Sequence, residues 1–218
     1  MQVVILRPEP GNAATAARVE AAGYPALRQP IFESRPLPWT PPDPATFDAL
    51  LLTSANAPRL AGASLAALAH LPAITVGERT AAAARAAGLT VALTGARDAA
   101  DAIARAAAAG LPRLLHLAGR DRTASTASLP AVTVYESVQT RAPDPASGAT
   151  ILLHSTRAAQ ALAAAPLDRA LLAVVAISPA VLAAAGSGWR AARAAAHPTD
   201  TAMLAELAAI DPPPPNRG

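Results

Sequence analysis

The sequence of 218 residues contains no cysteine and no lysine. The first absence excludes disulfides, zinc–thiolate sites, iron–sulfur clusters and cysteine nucleophiles together. The second removes the Schiff-base lysine of pyridoxal-phosphate enzymes and the lysine of a P-loop. All 18 basic residues are therefore arginine, and against 15 acidic residues they leave a net charge of only +3. Aromatics are scarce as well, with two Phe, two Trp and two Tyr, and the arginines are scattered. Neither a base-stacking platform nor a basic run exists, so no nucleic-acid partner is expected, and the arginines suit a small polyanion better. Long apolar runs are missing too. The longest, Ala170 to Ile177, falls far short of the roughly 18 to 20 residues that span a bilayer, so no membrane contact is expected. The opening Met-Gln-Val-Val-Ile-Leu-Arg-Pro carries no basic n-region, apolar core or cleavage site, which predicts a cytoplasmic location.

What is present is a packed globular composition, with 52% hydrophobic and 15% charged residues. Short apolar runs alternate with alanine-rich stretches of helical period, the pattern of parallel β-α units, so the fold class is α/β. Strands are expected at Val3–Leu6, Ala49–Thr53, Ala73–Val76, Leu114–Leu117, Thr150–His154 and Ala173–Ile177. Helices are expected at Asn12–Ala22, Ala55–Ala69, Thr80–Ala87, Ala99–Ala109, Arg157–Ala164, Val181–Ala185 and Thr201–Ile210.

An internal repeat organises these elements. Leu52-Thr53-Ser54 aligns with Leu153-His154-Ser155, and Val76-Gly77 with Ile177-Ser178, both at a spacing of 101 residues. Upstream, Phe32-Glu33-Ser34 aligns with Tyr135-Glu136-Ser137 at 103. Proline-rich stretches at Pro36–Pro44 and Arg141–Pro145 read as semi-rigid linkers. The division expected is one discontinuous α/β lobe over residues 1–35 and 142–210 and an inserted α/β lobe over 39–133. Residues 36–38 and 134–141 would connect them, and 211–218 would form a disordered tail.

The chain resembles the uroporphyrinogen-III synthase family over nearly its whole length. The match is carried by Arg7-Pro8 after the first strand, Thr53-Ser54-Ala55-Asn56-Ala57, Val76-Gly77-Glu78-Arg79-Thr80-Ala81 and Ala118-Gly119-Arg120-Asp121. Val134-Tyr135-Glu136, Ser155-Thr156, Ile177-Ser178-Pro179 and Pro198-Thr199 complete it. The resemblance implies two flavodoxin-like parallel-sheet α/β lobes joined by a two-stranded linker, one lobe inserted into the other. It implies the reaction as well: linear hydroxymethylbilane loses its hydroxyl and closes, with inversion of the last pyrrole ring, to uroporphyrinogen III of the heme pathway. Neither cofactor nor metal is implied, which agrees with four dispersed histidines, His70, His116, His154 and His197. A monomer is expected, with a transient contact to the preceding enzyme of the pathway.

Such a substrate carries carboxylates on every ring, and helices that open directly after strands offer free N–H groups to them. Candidate substrate-binding residues are Arg7, Thr53, Ser54, Gly77, Thr80, Ser155, Thr156 and Ser178; their hydroxyls serve equally as helix caps, and Arg7 equally as half of an ion pair. Tyr135 is the candidate acid, placed by the family's Val-Tyr pattern, because loss of hydroxide needs a proton; packing of a connecting-strand aromatic is the plain alternative. Arg120 with Asp121 reads as a local turn pair, and no carboxylate is given a catalytic role.

Some positions depart from the family pattern. His154-Ser155-Thr156 stands where a Thr-Ser pair is usual, Ile177-Ser178-Pro179-Ala180-Val181 lacks the familiar Gly and Thr, and Ala99-Ala100-Asp101 replaces Ser-Glu-Gly. They motivate a competing reading, a catalytically eroded two-lobed protein that binds a tetrapyrrole or small anion. A nucleotide-binding oxidoreductase is disfavoured, because no G-x-G-x-x-G follows any strand.

Overall fold

A computed structural model describes residues 1–121 and 126–212. In chain order the elements are β1 (Val3–Ile5), α1 (Gly11–Ala21), β2 (Ala26–Arg28), β3 (Phe32–Pro36), β4 (Ala49–Leu52), α2 (Asn56–Leu60), β5 (Ala73–Val76), α3 (Glu78–Ala86) and β6 (Val91–Gly95). They continue with α4 (Ala99–Ala108), β7 (Leu114–Gly119), β8 (Ala131–Gln139), β9 (Thr150–Leu153), α5 (Thr156–Ala164), β10 (Ala173–Ala176), α6 (Pro179–Ala185), β11 (Ala191–Ala194) and α7 (Asp200–Ile210). The chain divides into unit 1, Met1–Glu33 with Gln139–Gly218, and unit 2, Ser34–Val138.

Unit 1 is built on a sheet of order β11-β10-β9-β1-β2, paired in parallel throughout. Strands β9 and β10, Thr-Ile-Leu-Leu and Ala-Val-Val-Ala, are buried at every position, as a parallel sheet covered on both faces requires. Val4, Ile151 and Val174 pack with Ala158, Leu162 and Val181 of α5 and α6 on one face. Val3, Ile5 and Val175 pack with Val19, Met203 and Leu207 of α1 and α7 on the other. Each fully buried Val, Leu or Ile contributes about 1.5–3 kcal/mol, so these two layers carry the unit.

The sheet of unit 2 has the order β3-β8-β7-β4-β5-β6, with β7/β8, β4/β7, β4/β5 and β5/β6 parallel. Leu50, Leu52 and Leu115 face Ala57 and Ala84 of α2 and α3, whereas Leu51 and Ile74 face Ala102 and Ala106 of α4. The sequence repeat reappears here as topology. The order β8-β7-β4-β5-β6 reproduces β2-β1-β9-β10-β11, with Thr53 following β4 as His154 follows β9. In each sheet the strand order reverses once, between β1 and β9 and between β4 and β7, and the carboxyl ends of such a pair open a crevice.

Several elements differ from the sequence reading. The helix expected over Ala55–Ala69 is α2 followed by a 3-10 turn over Ala63–Leu68, because Gly62, with φ +66°, turns the chain where a helix cannot continue. Strands β2, β6 and β11 were not expected. Of the predicted tail, Asp211 caps α7 and its carboxylate accepts from Thr150 Oγ1 at 2.8 Å and Arg190 Nη2 at 2.8 Å, while residues 213–218 lie outside the described residues. Among the described residues no helix is long and apolar enough to cross a membrane.

Candidate active site

At the reversal point of unit 2, a cleft of about 360 Å³ opens at the ends of β4 and β7, lined by Thr53, Ser54, Asp98, His116, Asp121 and Tyr135. Chain geometry puts them there. β4 ends at Leu52 and α2 begins at Asn56, which leaves Thr53 and Ser54 in the turn. The Ser54 hydroxyl accepts from the Asn56 N–H at 3.2 Å and so caps the turn, while Thr53 Oγ1 lies 3.0 Å from His116 Nε2. His116 is the polar residue of an otherwise apolar Leu-Leu-His-Leu-Ala-Gly strand and is only 2% exposed. Asp98 caps α4, accepting from the Asp101 N–H at 2.9 Å.

Tyr135 reaches the cleft from β8, and its seat is made by a glycine. A Cβ on Gly119 would stand 2.7 Å from Tyr135 Cζ and 2.9 Å from its hydroxyl oxygen, so the ring rests on the bare backbone at the end of β7. The Arg120 N–H donates to the Tyr135 carbonyl at 2.9 Å and fixes the same strand pair. Arg120 Nε pairs with Glu136 Oε2 at 3.0 Å, across the strands and not with Asp121 as a local turn pair. Gly77 and Thr80 are not among the lining residues of the cleft. Gly77, at φ +79° and ψ 156°, turns the chain into α3, and Thr80 is buried on that helix.

The equivalent reversal point of unit 1 is occupied by the protein's own charges. Arg7, just past β1, lies over Gly11, where a Cβ would come within 2.6 Å of Arg7 Nε. Its Nη1 donates to Thr15 Oγ1 at 3.1 Å and stands 3.5 Å from Asp200 Oδ1. Asp200, in the first turn of α7, also accepts from Thr15 Oγ1 at 2.9 Å, Arg18 Nη1 at 2.9 Å and His154 Nε2 at 3.0 Å. The hydrogen bond from His154, with those from its neighbours, holds the Asp200 carboxyl well below the usual carboxylate range. Burial pushes His154 down, against the pull of Asp200, so the ring is neutral at pH 7 and donates as a neutral imidazole. Arg7, expected to grip a substrate carboxylate, thus already faces one from its own chain.

The remaining sequence candidates lie at helix starts of unit 1. Ser155 and Ser178 accept from the N–H groups of Ala158 at 3.2 Å and Val181 at 3.4 Å, and Thr156 is exposed at the first position of α5. A hydroxyl that accepts a capping bond keeps its proton to donate, so capping and anion binding are compatible. Among the described residues no group of three or more His, Cys, Asp or Glu side chains is placed to hold a metal ion. Sequence reasoning missed His116, Asp98 and Asp200. Only His116 carried a signal, a histidine within an apolar strand.

Two doubly wound sheets of one topology, with a hydroxyl-, carboxylate- and phenol-lined cleft at one reversal point, place the protein among doubly wound α/β folds. The family model of uroporphyrinogen-III synthase HemD matches residues 13–205. The crystal structure of uroporphyrinogen-III synthetase from Helicobacter pylori 26695 superposes with a TM-score of 0.69 over 96% of this chain and 99% of its own, at 18% identity, and shows the shared fold. Two crystal structures of uroporphyrinogen III synthase from the extremely thermophilic bacterium Thermus thermophilus align at TM-scores of 0.49 and 0.40. The first, a triple mutant, is 14% identical over 95% of this chain and 97% of its own; the second, the wild type, is 15% identical over 96% and 98%. No curated protein sequence matches the chain. The chain belongs to the uroporphyrinogen-III synthase family, enzymes of heme biosynthesis that carry out a cyclising, lyase-type reaction.

Proposed function

We propose that this chain converts hydroxymethylbilane to uroporphyrinogen III with Tyr135 as the acid and without a cofactor. The seating of the Tyr135 phenol on Gly119 beside Thr53, at the reversal point of a doubly wound sheet, carries this reading. The phenolic proton passes to the departing hydroxyl as its C–O bond breaks, so water leaves and the ring nitrogen shares the positive charge. The last ring closes through its substituted carbon, the inversion is completed by rearrangement, and the proton lost from carbon returns to Tyr135. A phenol offers an O–H donor to the departing hydroxyl, and general acid catalysis is worth about 10² to 10⁴ in rate. Thr53 and Ser54, which line the same cleft as Tyr135, act as hydroxyl donors to substrate carboxylates. Much of the rate comes from holding the chain ends in register, which supplies about 7 to 11 kcal/mol without a strong catalytic group. The setting we assign is a cytoplasmic monomer that receives its substrate from the preceding enzyme, a reading that rests on the family.

The test supplies fresh hydroxymethylbilane, oxidises the products and separates the type I and type III isomers. Type III in excess over the uncatalysed type I supports the cyclase. Type I alone from folded protein overturns it and leaves a binding protein.

A further inference from the structure

We propose that His116 is a positioning residue: it donates from Nε2 to Thr53 Oγ1 and thereby leaves the Thr53 hydroxyl proton free for a substrate carboxylate. This rests on the function proposed above. A threonine hydroxyl has one proton and two lone pairs, so its partner decides whether it offers the cleft a donor or an acceptor. Thr53 Oγ1 and His116 Nε2 are 3.0 Å apart and both line the cleft. If Nε2 accepted, Thr53 would spend its proton on the imidazole and face the substrate with lone pairs. The lining already holds the acceptor carboxylates Asp98 and Asp121, and an acid-rich substrate needs donors.

The placement of His116 supports this division of labour. The residue is 2% exposed in a strand otherwise of leucine, alanine and glycine, where a polar ring is costly to bury without a hydrogen bond. By register with Leu51, His116 takes the position that Ile5 takes opposite Leu152 in unit 1, so the architecture itself accepts an aliphatic side chain there. The neighbouring position is exchanged as well, since Thr53 corresponds to His154 in the repeat. The histidine and the hydroxyl that it orients thus occur together in unit 2, at the reversal point that is open.

The test combines steady-state kinetics with nitrogen-15 NMR of histidine-labelled enzyme, the His116 signals being assigned by their loss in His116→Gln. Wild-type His116 is expected to carry its proton on Nε2; a proton on Nδ1 alone overturns the proposal whatever the protein's activity. His116→Phe is expected to raise KM for hydroxymethylbilane about 10-fold with kcat within about 2-fold, the pattern of a lost binding contact. Thr53→Val should do the same, and the double variant should be no worse than either single one. His116→Gln, which keeps an N–H near the Nε2 position, should recover KM to within about 3-fold of wild type. Effects of Phe and Val that multiply, or a Gln variant no better than Phe, would refute the coupling. A wild-type product of type I alone would refute the proposed function and not this pairing, which the NMR result and a thermal-stability cycle of the same variants still decide.

Discussion

Replacement of Asp200 by asparagine removes one charge from a carboxylate to which three side chains of unit 1 donate. Asp200 accepts hydrogen bonds from Thr15, Arg18 and His154, with Arg7 3.5 Å away, and its side chain is 13% exposed. The Arg18 contact is with a half-exposed guanidinium and contributes at most about 1 kcal/mol. Bonds from Thr15 and His154 to a charged acceptor are each worth about 1.5–3 kcal/mol, and the partly exposed Arg7 pair adds less than the about 3–5 kcal/mol of breaking a fully buried one. These overlap, and because an amide oxygen recovers part of them, the expected loss is about 3 kcal/mol. For a unit of about 110 residues this lowers the melting midpoint by about 10 °C, read by circular dichroism at pH 7. The pH dependence has a definite sign. Asp200 has a lowered pKa in the folded state, so its stabilisation is complete above the unfolded value of about 3.9 and is lost as pH falls through the lower folded value. His154 is also lowered, so folding favours its neutral form, and its share is complete above about pH 6.5 and declines below it. Wild type therefore starts to weaken just below pH 6.5, whereas its advantage over Asp200→Asn shrinks only below about pH 3.9, because Asp200 favours a protonated His154. A midpoint shift under about 2 °C at pH 7, or a gap constant from pH 7 to pH 3, would refute this account.

Other substitutions test the remaining assignments. Gly119→Ala puts a Cβ 2.7 Å from Tyr135 Cζ, and the displaced ring should cut turnover at least 10-fold for an overpacking cost of about 1–3 kcal/mol; unchanged kcat would contradict the seating. Gly77→Ala forces an L-residue to φ +79° and should cost about 1–3 kcal/mol in urea unfolding, although nothing within 4 Å opposes its Cβ. Ser155→Ala should cost about 1 kcal/mol through loss of the cap to Ala158, and Thr156→Val, one residue on, should cost less in the same assay.

What could be read in the sequence follows the range of the forces concerned. The buried parallel strands β4, β5, β7, β9 and β10 announce themselves as apolar runs, because burial on both faces leaves no alternation to confuse with a helix. β11 does not, since Ala-Ala-Arg-Ala reads as helix and only pairing with β10 makes it a strand. β6 was hidden by its polar and glycine-containing end, and β2 is three residues between prolines. Local caps such as Ser155 and Ser178 were legible as strand-to-helix turns. The partners that give the crevices their character were not. Asp200 meets Thr15 across 185 positions and Thr53 meets His116 across 63, distances at which only the sheet order brings side chains together. The departure at His154, which read as erosion of a motif, has a physical role in unit 1, where it shares Asp200 with Arg7.

In the proposed reaction a phenol in the unit 2 cleft supplies the proton for ring closure. Tyr135→Phe keeps the ring on Gly119 and removes only the hydroxyl, so the fold should be unaffected while the acid is lost. The measurement is the rate of type III formation from fresh hydroxymethylbilane by wild type and Tyr135→Phe side by side, under saturating substrate. The account predicts a loss in kcat of about 10²-fold or more with type III still the enzymatic product, as befits removal of a general acid. Equal rates of type III formation by the two proteins would contradict it.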